Sequence, residues 1–290
     1  MDLATFLVQC LNAVQYGLLL FLVASGLTLI FGIMGVINLA HGSFYMLGAY
    51  LAFVLAPYFA NSFLAMLVVG VMLAAAFGFV LEWVFFSFLY QREHLQQVLM
   101  TYALILVFEE ARSMLVGNDV HGVPIPPWLA GSFALGELMS YPWYRLFASA
   151  ACIVLATALY WVVNRTRLGM MIRAGASNRE MVRSLGIDIQ LLYRVVFAGG
   201  VALAALAGMI AAPMSSVYPG MGSGVLIICF VVVVIGGIGS ITGALVASLL
   251  VGFVDTFGKV FFSEYSGIGV YLLMAVILVW RPEGLMKGRS

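Results

Sequence analysis

Residues 3–32 read LATFLVQCLNAVQYGLLLFLVASGLTLIFG, a run without one charged side chain. A helix needs about 20 apolar residues to cross roughly 30 Å of hydrocarbon. The charge-free stretch continues to Leu81, so it has room for three crossings. The opening run is too long for the apolar part of a signal peptide and follows no basic residue, and we therefore expect a first transmembrane helix.

The composition excludes the classes of water-soluble enzyme. The chain has 290 residues, of which 64% are hydrophobic and 9% charged, against about 45–50% and about 25% in soluble domains. The net charge of +1 gives no excess of basic residues of the kind that nucleic-acid-binding proteins have. Cys10, Cys152 and Cys229 lie in apolar runs without metal-site spacing, which favours core packing over redox or metal chemistry.

Hydropathy predicts an all-α polytopic membrane protein with eight or nine transmembrane helices. The apolar blocks are separated by polar or Pro/Gly breaks. They fall at residues 6–33, 36–57, 62–89, 97–116, 144–164, 191–212, 225–238, 240–258 and 266–280.

The basic residues favour nine crossings. Cytoplasmic loops accumulate Lys and Arg, and ten of the 13 basic residues fall on one face of a nine-helix alternation. Arg112, Arg145 and Lys259 fall on the other face. This predicts a cytoplasmic C-terminus and an N-terminus on the opposite, outer side of the membrane. The ten are Arg92, Arg165, Arg167, Arg173, Arg179, Arg183, Arg194, Arg281, Lys287 and Arg289.

Two connections stand out, and neither is long enough for a folded domain. Residues 117–143 form a proline-rich outer, periplasmic loop, and residues 165–190 form a cytoplasmic segment. We therefore predict a single transmembrane domain, residues 1–290.

The sequence has no motif for ATP binding and few acidic residues that could form a proton path. Neither lysine follows the pattern of a phosphate-binding loop, so we expect no enzymatic activity, no cofactor on this chain, and ATP and Mg²⁺ only on partner subunits. The acidic candidates for a proton path are Glu82, Glu109, Glu110 and Asp255. Pairing at helix ends, or a polar contact between helices for Asp255, is favoured over proton transfer.

Residues 168–190, LGMMIRAGASNREMVRSLGIDIQ, predict a short amphipathic helix. Ser177 is the expected N-cap, with Glu180 completing a capping box, and Gly186 is the expected stop. Such a helix suits docking to a soluble partner, and a helix resting on lipid headgroups is the alternative.

Two glycine-interrupted segments, residues 31–50 and 231–252, indicate broken helices. They read FGIMGVINLAHGSFYMLGAY and VVVVIGGIGSITGALVASLLVG. Such breaks in corresponding halves point toward a translocation path, and tight helix packing without a pore is the alternative. His41 fits a structural histidine better than a proton carrier. The polar groups near the breaks are Asn38, His41, Ser43, Ser240 and Thr242.

In the first helix, Gln9, Asn12 and Tyr16 form a narrow polar stripe. Uncharged polar stripes line pathways or join helices, and the sequence leaves both possibilities open.

Several segments of the chain resemble the H-type inner-membrane permease of branched-chain amino-acid ABC importers. They are the two glycine-interrupted segments at 31–50 and 231–252, RTRLGMMIRAGASNREMVRSLGID at 165–188, PGMGS at 219–223 and WRPEGL at 280–285. The resemblance runs nearly end to end. It implies a second, M-type permease, two cytoplasmic ATPase subunits and a periplasmic substrate-binding protein as partners. One departure is YQREHLQQ at 90–97, where many members carry an Arg-Pro-Leu-Arg stretch.

The resemblance also implies roles for residues. Carried over by position, the segment from Arg173 to Asp188 is a coupling helix that seats in an ATPase cleft. With the amphipathic pattern, the predicted coupling residues are Arg173, Ser177, Asn178, Arg179, Glu180, Arg183, Leu185, Gly186 and Asp188. With the polar stripe, the predicted path residues are Gln9, Asn12, Asn38, His41, Gly42, Gly236, Gly237, Gly239 and Ser240.

The expected function is therefore that of a permease subunit for branched-chain amino acids in a bacterial inner membrane. The same architecture serving urea, short amides or other small organic acids is one alternative. A stand-alone channel or ion-coupled carrier is another, and the shortage of embedded acidic residues counts against it.

Overall fold

The computed structural model describes residues 3–59, 62–90, 92–134, 140–262 and 266–286. Helix α1, Leu3–Met34, has 32 residues and extends for about 48 Å at 1.5 Å per residue. Every residue from Gly17 to Thr28 is buried. A helix that is apolar on all sides is stable in the interior of a bundle, and α1 packs against α6 Trp143–Arg165, α9 Ile189–Ala211, α10 Met221–Gly236 and α11 Ile241–Phe261.

The described residues form twelve α-helices and one short hairpin. The elements are α1 Leu3–Met34, α2 His41–Leu55, α3 Phe63–Leu81 continuing through a π-helical turn Glu82–Phe86 into α4 Ser87–Leu89, α5 His94–Val116, a 3₁₀ turn Pro127–Leu129, β1 Ser132–Ala134, β2 Ser140–Pro142, α6 Trp143–Arg165, α7 Arg167–Ser177, α8 Arg179–Ser184, α9 Ile189–Ala211, α10 Met221–Gly236, α11 Ile241–Phe261 and α12 Ser266–Trp280.

The all-α polytopic prediction is confirmed. Each predicted span overlaps a helix of the described chain, but α5, at the predicted span 97–116, is not among the helices apolar enough to count as a membrane span. Five are long and apolar enough to cross a membrane: Leu3–Met34, Phe63–Leu89, Trp143–Arg165, Ile189–Ala211 and Ile241–Phe261. Helices α2 and α10 have 15 and 16 residues, or about 22–24 Å. The boundary at residue 36 was wrong, since residues 35–40 form a turn and α2 begins at His41.

Contacts between the connections of the described chain define two ends of the bundle, one where Gly35 meets Arg179 and Gly32 meets Gly239, the other where His121 pairs with Val217. One, the arginine end, carries the turn at residues 35–40, helices α7 and α8, and the turn at 237–240. The other, the proline end, carries residues 117–134 and 140–142. The basic side chains segregate between the ends as predicted, with Arg112, Arg145 and Lys259 toward the proline end. Lys287 and Arg289 lie outside the described residues.

Glycine allows the central helices to touch backbone to backbone. A Cβ on Gly26 of α1 would lie 2.6 Å from the carbonyl oxygen of Gly200 in α9. A Cβ on Gly48 of α2 would overlap the Ala205 carbonyl, and one on Gly208 would overlap the Tyr45 carbonyl. Helix α9 is therefore held against both α1 and α2 by contacts that only small residues permit.

The proline end is partly covered by the loop that was predicted to be outside the membrane. His121 and Val217 exchange backbone hydrogen bonds of 2.8 Å in each direction, and the His121 ring stacks on Phe53 with centroids 4.2 Å apart. Burial raises the pKa of the Tyr141 phenol, and Arg145 opposes this effect. Residues 135–139 of the predicted loop lie outside the described residues.

The cysteines follow the core prediction. Cys152 and Cys229 are buried, Cys10 is half-buried, and all three are free thiols.

Replacing Gly208 by alanine is expected to lower the thermal unfolding temperature of the detergent-purified protein, because the new methyl group overlaps a backbone carbonyl that cannot rotate away. Overpacking of this kind costs about 1–3 kcal/mol. Gly199→Ala is the matched control on the same helix, where a Cβ meets open space and alanine favours helix formation. Equal melting temperatures for the two variants would contradict the packing.

Candidate coupling segment and membrane cavity

Helices α7 and α8 meet at Asn178, and this corrects the expected N-cap. Ser177 is the last residue of α7 and does not cap α8. The Asn178 backbone is extended, its N–H donates to the Ala174 carbonyl, and its side chain accepts from Met181 N at 3.0 Å. The capping-box prediction was wrong by one residue because asparagine, adjacent to the predicted serine, is an equally good cap.

The end of α8 follows the predicted pattern. Gly186 has φ +81°, and Ile187 N donates across it to the Val182 carbonyl at 3.4 Å, the bond that closes a helix with a left-handed residue. The Asp188 carboxylate accepts from Gln190 N and Leu191 N at 2.9 and 3.1 Å. Asp188 therefore caps α9, so the segment is joined to the bundle through a fixed turn.

Two arginines of the segment contact helix ends within the chain. Arg179 Nη2 donates to the carbonyl of Met34 at 2.7 Å, and its guanidinium lies over the Tyr193 ring at 6.0 Å. Arg173 donates to the Val163 carbonyl in α6. The last carbonyls of a helix have no partner within the helix, so Arg179 satisfies the end of α1 at the point where the chain turns into α2.

The outer surface of α8 is apolar at two positions. Val182 is buried, whereas Met181 and Leu185 are 63% and 72% exposed. These two side chains lie four residues apart on one face. We call this pair the α8 knob. Like Leu185, the other residues that were predicted to couple are all exposed: Arg173, Ser177, Asn178, Arg179, Glu180, Arg183, Gly186 and Asp188.

The first glycine break lies beside the α8 segment. Gly35 has φ +66°, and a Cβ there would lie 3.0 Å from Arg179 Nη2. Asn38 Oδ1 accepts from Ala40 N at 3.0 Å. His41 is fully buried and its Nε2 lies 2.9 Å from the Val23 carbonyl, so it joins α2 to α1. Gly42 touches Gly222 of α10.

The second break, between α10 and α11, touches the first. Gly32 and Gly239 are close enough that a Cβ on Gly32 would lie 3.2 Å from the Gly239 Cα. Gly237 and Gly239 have φ +96° and +79°, and Gly236 packs on Gly243. Ser240 caps α11 by accepting from Gly243 N at 3.0 Å. Leu285 N and Met286 N donate to the Ile235 and Gly236 carbonyls at 2.8 and 3.2 Å.

Part of the polar stripe on α1 joins helices. Asn12 accepts from Arg145 Nη1 of α6 at 2.6 Å, and its amide donates to Gln9 at 3.3 Å. The bond to Arg145 favours the helix-joining alternative for Asn12, whereas the bond of Gln9 stays within α1. The role of both residues in a path stays a prediction.

Three carboxylates of the bundle are each paired with a basic side chain. Only the Glu109 pair has the predicted form, because Glu82 pairs with another helix and Asp255 pairs within its own helix instead of between helices. Glu82 is 1% exposed, lies 3.4 Å from Arg194 and accepts from the Tyr90 hydroxyl at 2.6 Å. Glu109 lies 3.3 Å from Arg112, three residues on. Asp255 lies 2.6 Å from Lys259 of its own helix. No set of three His, Cys, Asp or Glu residues that could hold a metal occurs among the described residues.

A cavity of about 180 Å³ lies between α1, α2, the end of α9 and α10. Leu19, Leu20, Val23 and Val225 form apolar parts of its wall. The lining residues with polar or sulfur-containing groups are Gln15, Tyr16, Tyr45, Met214 and Ser215.

Of these residues, only Tyr16 was predicted from the sequence to line a path or to join helices. Tyr45 lies four residues after His41 in the first glycine-broken segment, and Gln15 directly precedes Tyr16, so position alone offered a signal for both. Nothing in the sequence placed Met214 and Val225 beside them, because they come from a different part of the chain. The ion pair between Glu82 and Arg194, which are 112 residues apart in sequence, was likewise not foreseen.

A bundle of apolar helices with paired internal charges, glycine-broken helices and an exposed knob at one end defines a polytopic membrane protein of the permease class. The chain belongs to the family described as branched-chain amino acid transport system / permease component, whose sequence model matches residues 9–279. This match covers nearly all the described helices.

Individual relatives agree with the family. The chain is 31% identical to the high-affinity branched-chain amino acid transport system permease protein BraD of Pseudomonas aeruginosa, over 97% of this chain and 95% of the relative. It is 26% identical to LivH of Escherichia coli over the same shares. It is 27% identical to LivM of Escherichia coli over 90% of this chain and 66% of that protein. The resemblance to the H-type permease is thereby confirmed.

Proposed function

We propose that this permease imports branched-chain amino acids as one membrane subunit of an ATP-driven importer. The observation that carries the proposal is the similarity to BraD and LivH over 97% of the chain. The weaker similarity to LivM, a second permease of that transport system, supports pairing with a homologous permease. Two ATPase subunits and a substrate-binding protein complete the assembly.

The charges support an external energy source. Glu82, Glu109 and Asp255 each have a basic partner within 3.4 Å, and an ion-coupled carrier requires embedded groups that can release their partner. This arrangement disfavours a stand-alone ion-coupled carrier.

The arginine end is proposed to face the cytoplasm. Arg92, Arg165, Arg167, Arg173 and the arginines of α8 lie there, and short cytoplasmic loops accumulate such residues. The chain would then enter the membrane from the outer, periplasmic side and end in the cytoplasm, within the bacterial inner membrane.

Cysteine labelling tests this orientation. In a Cys10→Ser background, Leu185→Cys is expected to react with a membrane-impermeant maleimide only in inside-out vesicles, because Leu185 is 72% exposed at the arginine end. Tyr58→Cys, at a site 80% exposed near the proline end, is expected to react only in right-side-out vesicles. The reverse pattern would invert the proposed topology.

The α8 knob is the proposed docking point for an ATPase subunit. Met181 and Leu185 protrude while Val182 anchors the helix, and apolar side chains that project from a short helix fill a hydrophobic groove in a partner. The segment is fixed by Asn178 and Asp188 at its two ends, so an applied force moves it as a unit.

Reconstitution of the four types of subunit in vesicles tests the function and the docking together. The unmodified complex is expected to accumulate leucine only with ATP and both ATPase subunits. Met181→Glu with Leu185→Glu is expected to weaken ATPase capture at least about tenfold, since buried interface anchors contribute about 2 kcal/mol or more. Met170→Glu, at a site 55% exposed on α7, is a single-glutamate control outside the knob, to be compared with Met181→Glu and Leu185→Glu taken one at a time. Normal capture by the double variant would refute docking at the knob.

Arg179 is proposed to transmit the movement of α8 to the break between α1 and α2. Its guanidinium holds the Met34 carbonyl at 2.7 Å and touches the Gly35 turn. The Tyr193 ring below it contacts Tyr90, with centroids 5.0 Å apart. A displacement of α8 therefore acts on the end of α1 through a charge-assisted hydrogen bond, the stronger class of such bonds.

Arg179→Ala is expected to leave ATPase capture intact and to lower leucine transported per ATP hydrolysed by about tenfold, because hydrogen bonds to charged groups contribute about 1.5–3 kcal/mol. Arg167→Ala removes the same charge from the exposed start of α7 and is expected to transport normally. Unchanged coupling in the Arg179 variant would exclude this transmission.

A further inference from the structure

The cavity between α1, α2, the end of α9 and α10 combines apolar walls with uncommitted polar groups near the middle of the bundle. Tyr16 and Leu20 lie about halfway along α1. The Gln15 side chain is 6% exposed and its amide donates only to the Met214 sulfur, at 3.5 Å. A thioether is a weak acceptor, so this buried amide has unused capacity for a stronger partner.

Two tyrosine hydroxyls at the same cavity are also available. Neither Tyr16 nor Tyr45 has a hydroxyl hydrogen bond with another of the described residues, although Tyr45 is only 9% exposed. Tyr16 is half-buried, and tyrosine hydroxyls at largely apolar sites usually find a partner. The cavity therefore contains three polar side chains with few hydrogen bonds of their own. A bound solute could supply the missing hydrogen-bond partners.

The lining has the chemistry of a small, net-neutral and partly aliphatic solute. Leu19, Leu20, Val23 and Val225 offer an apolar surface, while the amide and hydroxyls can donate to a carboxylate and accept from an ammonium group. Among the described residues that line the cavity none is charged, although Lys259 Nζ lies 5.5 Å from the centroid of the Tyr16 ring; an uncharged lining disfavours an ion with net charge. Its volume of about 180 Å³ is below the roughly 300 Å³ at which drug-sized pockets begin.

We propose that this cavity is a transient binding site for the branched-chain amino acid during its passage through the permease. The aliphatic side chain packs on Leu20, Val23 and Val225, and the α-amino and carboxylate groups bond to Gln15, Tyr16 and Tyr45. This inference rests on the proposed function for the identity of the solute. It gives the permease a selective step of its own, because an apolar wall distinguishes solutes by their methylene groups.

The site lies on the same helix as the Arg179 contact. Helix α1 continues without interruption from Leu20 to Met34, a length of about 21 Å. Tyr45 belongs to α2, directly after the glycine turn that Arg179 touches. A change in the angle between α1 and α2 at that turn alters the distance between the cavity walls that hold Tyr16 and Tyr45.

Photolabelling locates the solute directly. The reconstituted complex with its binding protein is illuminated during ATP turnover in the presence of a diazirine analogue of leucine, and the labelled peptides are mapped by mass spectrometry. Labels are expected on α1 near residues 15–23, on Tyr45 and on α10 near Val225, and excess leucine is expected to suppress them at least about tenfold by mass action. Absence of labels there, or labels insensitive to leucine, overturns the proposal.

Two variants test the site by function. Val225→Phe fills the cavity and is expected to lower leucine uptake and photolabelling about tenfold through overpacking, whereas Ile227→Phe, at a site 49% exposed on the same helix, is expected to leave both unchanged. Tyr45→Phe removes only a hydroxyl and is expected to lower both about two- to tenfold, the usual effect of one lost hydrogen bond. Tyr102→Phe, at an exposed site on α5, is its control.

The outcomes separate this inference from the proposed function. If the unmodified complex fails to import leucine with ATP, the proposed function fails. If it imports leucine while Val225→Phe and Tyr45→Phe import at the unmodified rate, only the binding site is refuted. If the Val225→Phe protein does not fold, the binding site is tested by the comparison of Tyr45→Phe with Tyr102→Phe and by the photolabelling.

Discussion

Backbone contact between glycine-bearing helices is the constraint on which the rest of the structure depends. Within a membrane, apolar side chains gain little by leaving lipid, so helices associate through close packing. Gly26 meets Gly200, Gly48 meets Ala205 and Gly208 meets the Tyr45 carbonyl. These contacts hold α9 against α1 and α2. They also fix the height of α2 relative to α1, which determines the walls of the cavity and the position of the first glycine turn.

The arginine end is organised by the carbonyls that helices leave without partners. At the end of α1, the carbonyl of Met34 accepts a hydrogen bond from the Arg179 guanidinium. At the end of α10, the carbonyls of Ile235 and Gly236 accept hydrogen bonds from the backbone N–H groups of Leu285 and Met286. In both cases a peripheral segment is attached at a helix terminus that precedes a glycine turn. The physical need to satisfy buried carbonyls thereby connects the exposed surface of this end to the two breaks in the bundle.

The sequence predicted those features that depend on local composition. The approximate positions of the helices, the turn at Gly186 and both glycine breaks follow from hydropathy and backbone preference, and the structure contains each of them. The cap at Asn178 was missed because neighbouring Ser177 satisfies the same rule. The inward bond of Arg179, the Glu82–Arg194 pair and the cavity could not be predicted, because they join segments that are distant in sequence and hydropathy does not specify which helix faces which.

The ion pairs and the glycine turns have different roles in the bundle: the ion pairs resist separation, and the glycine turns allow helices to tilt. The buried carboxylates are neutralised by Arg112, Arg194 and Lys259, and moving a charge from such a pair into hydrocarbon costs several kcal/mol. Conformational change in the bundle is therefore easier by tilting helices at their uncharged glycine turns than by separating ion pairs. Since the turn at Gly35 contacts Arg179 and leads directly into the helix that carries Tyr45, the least costly movement of this fold is also one that alters the cavity.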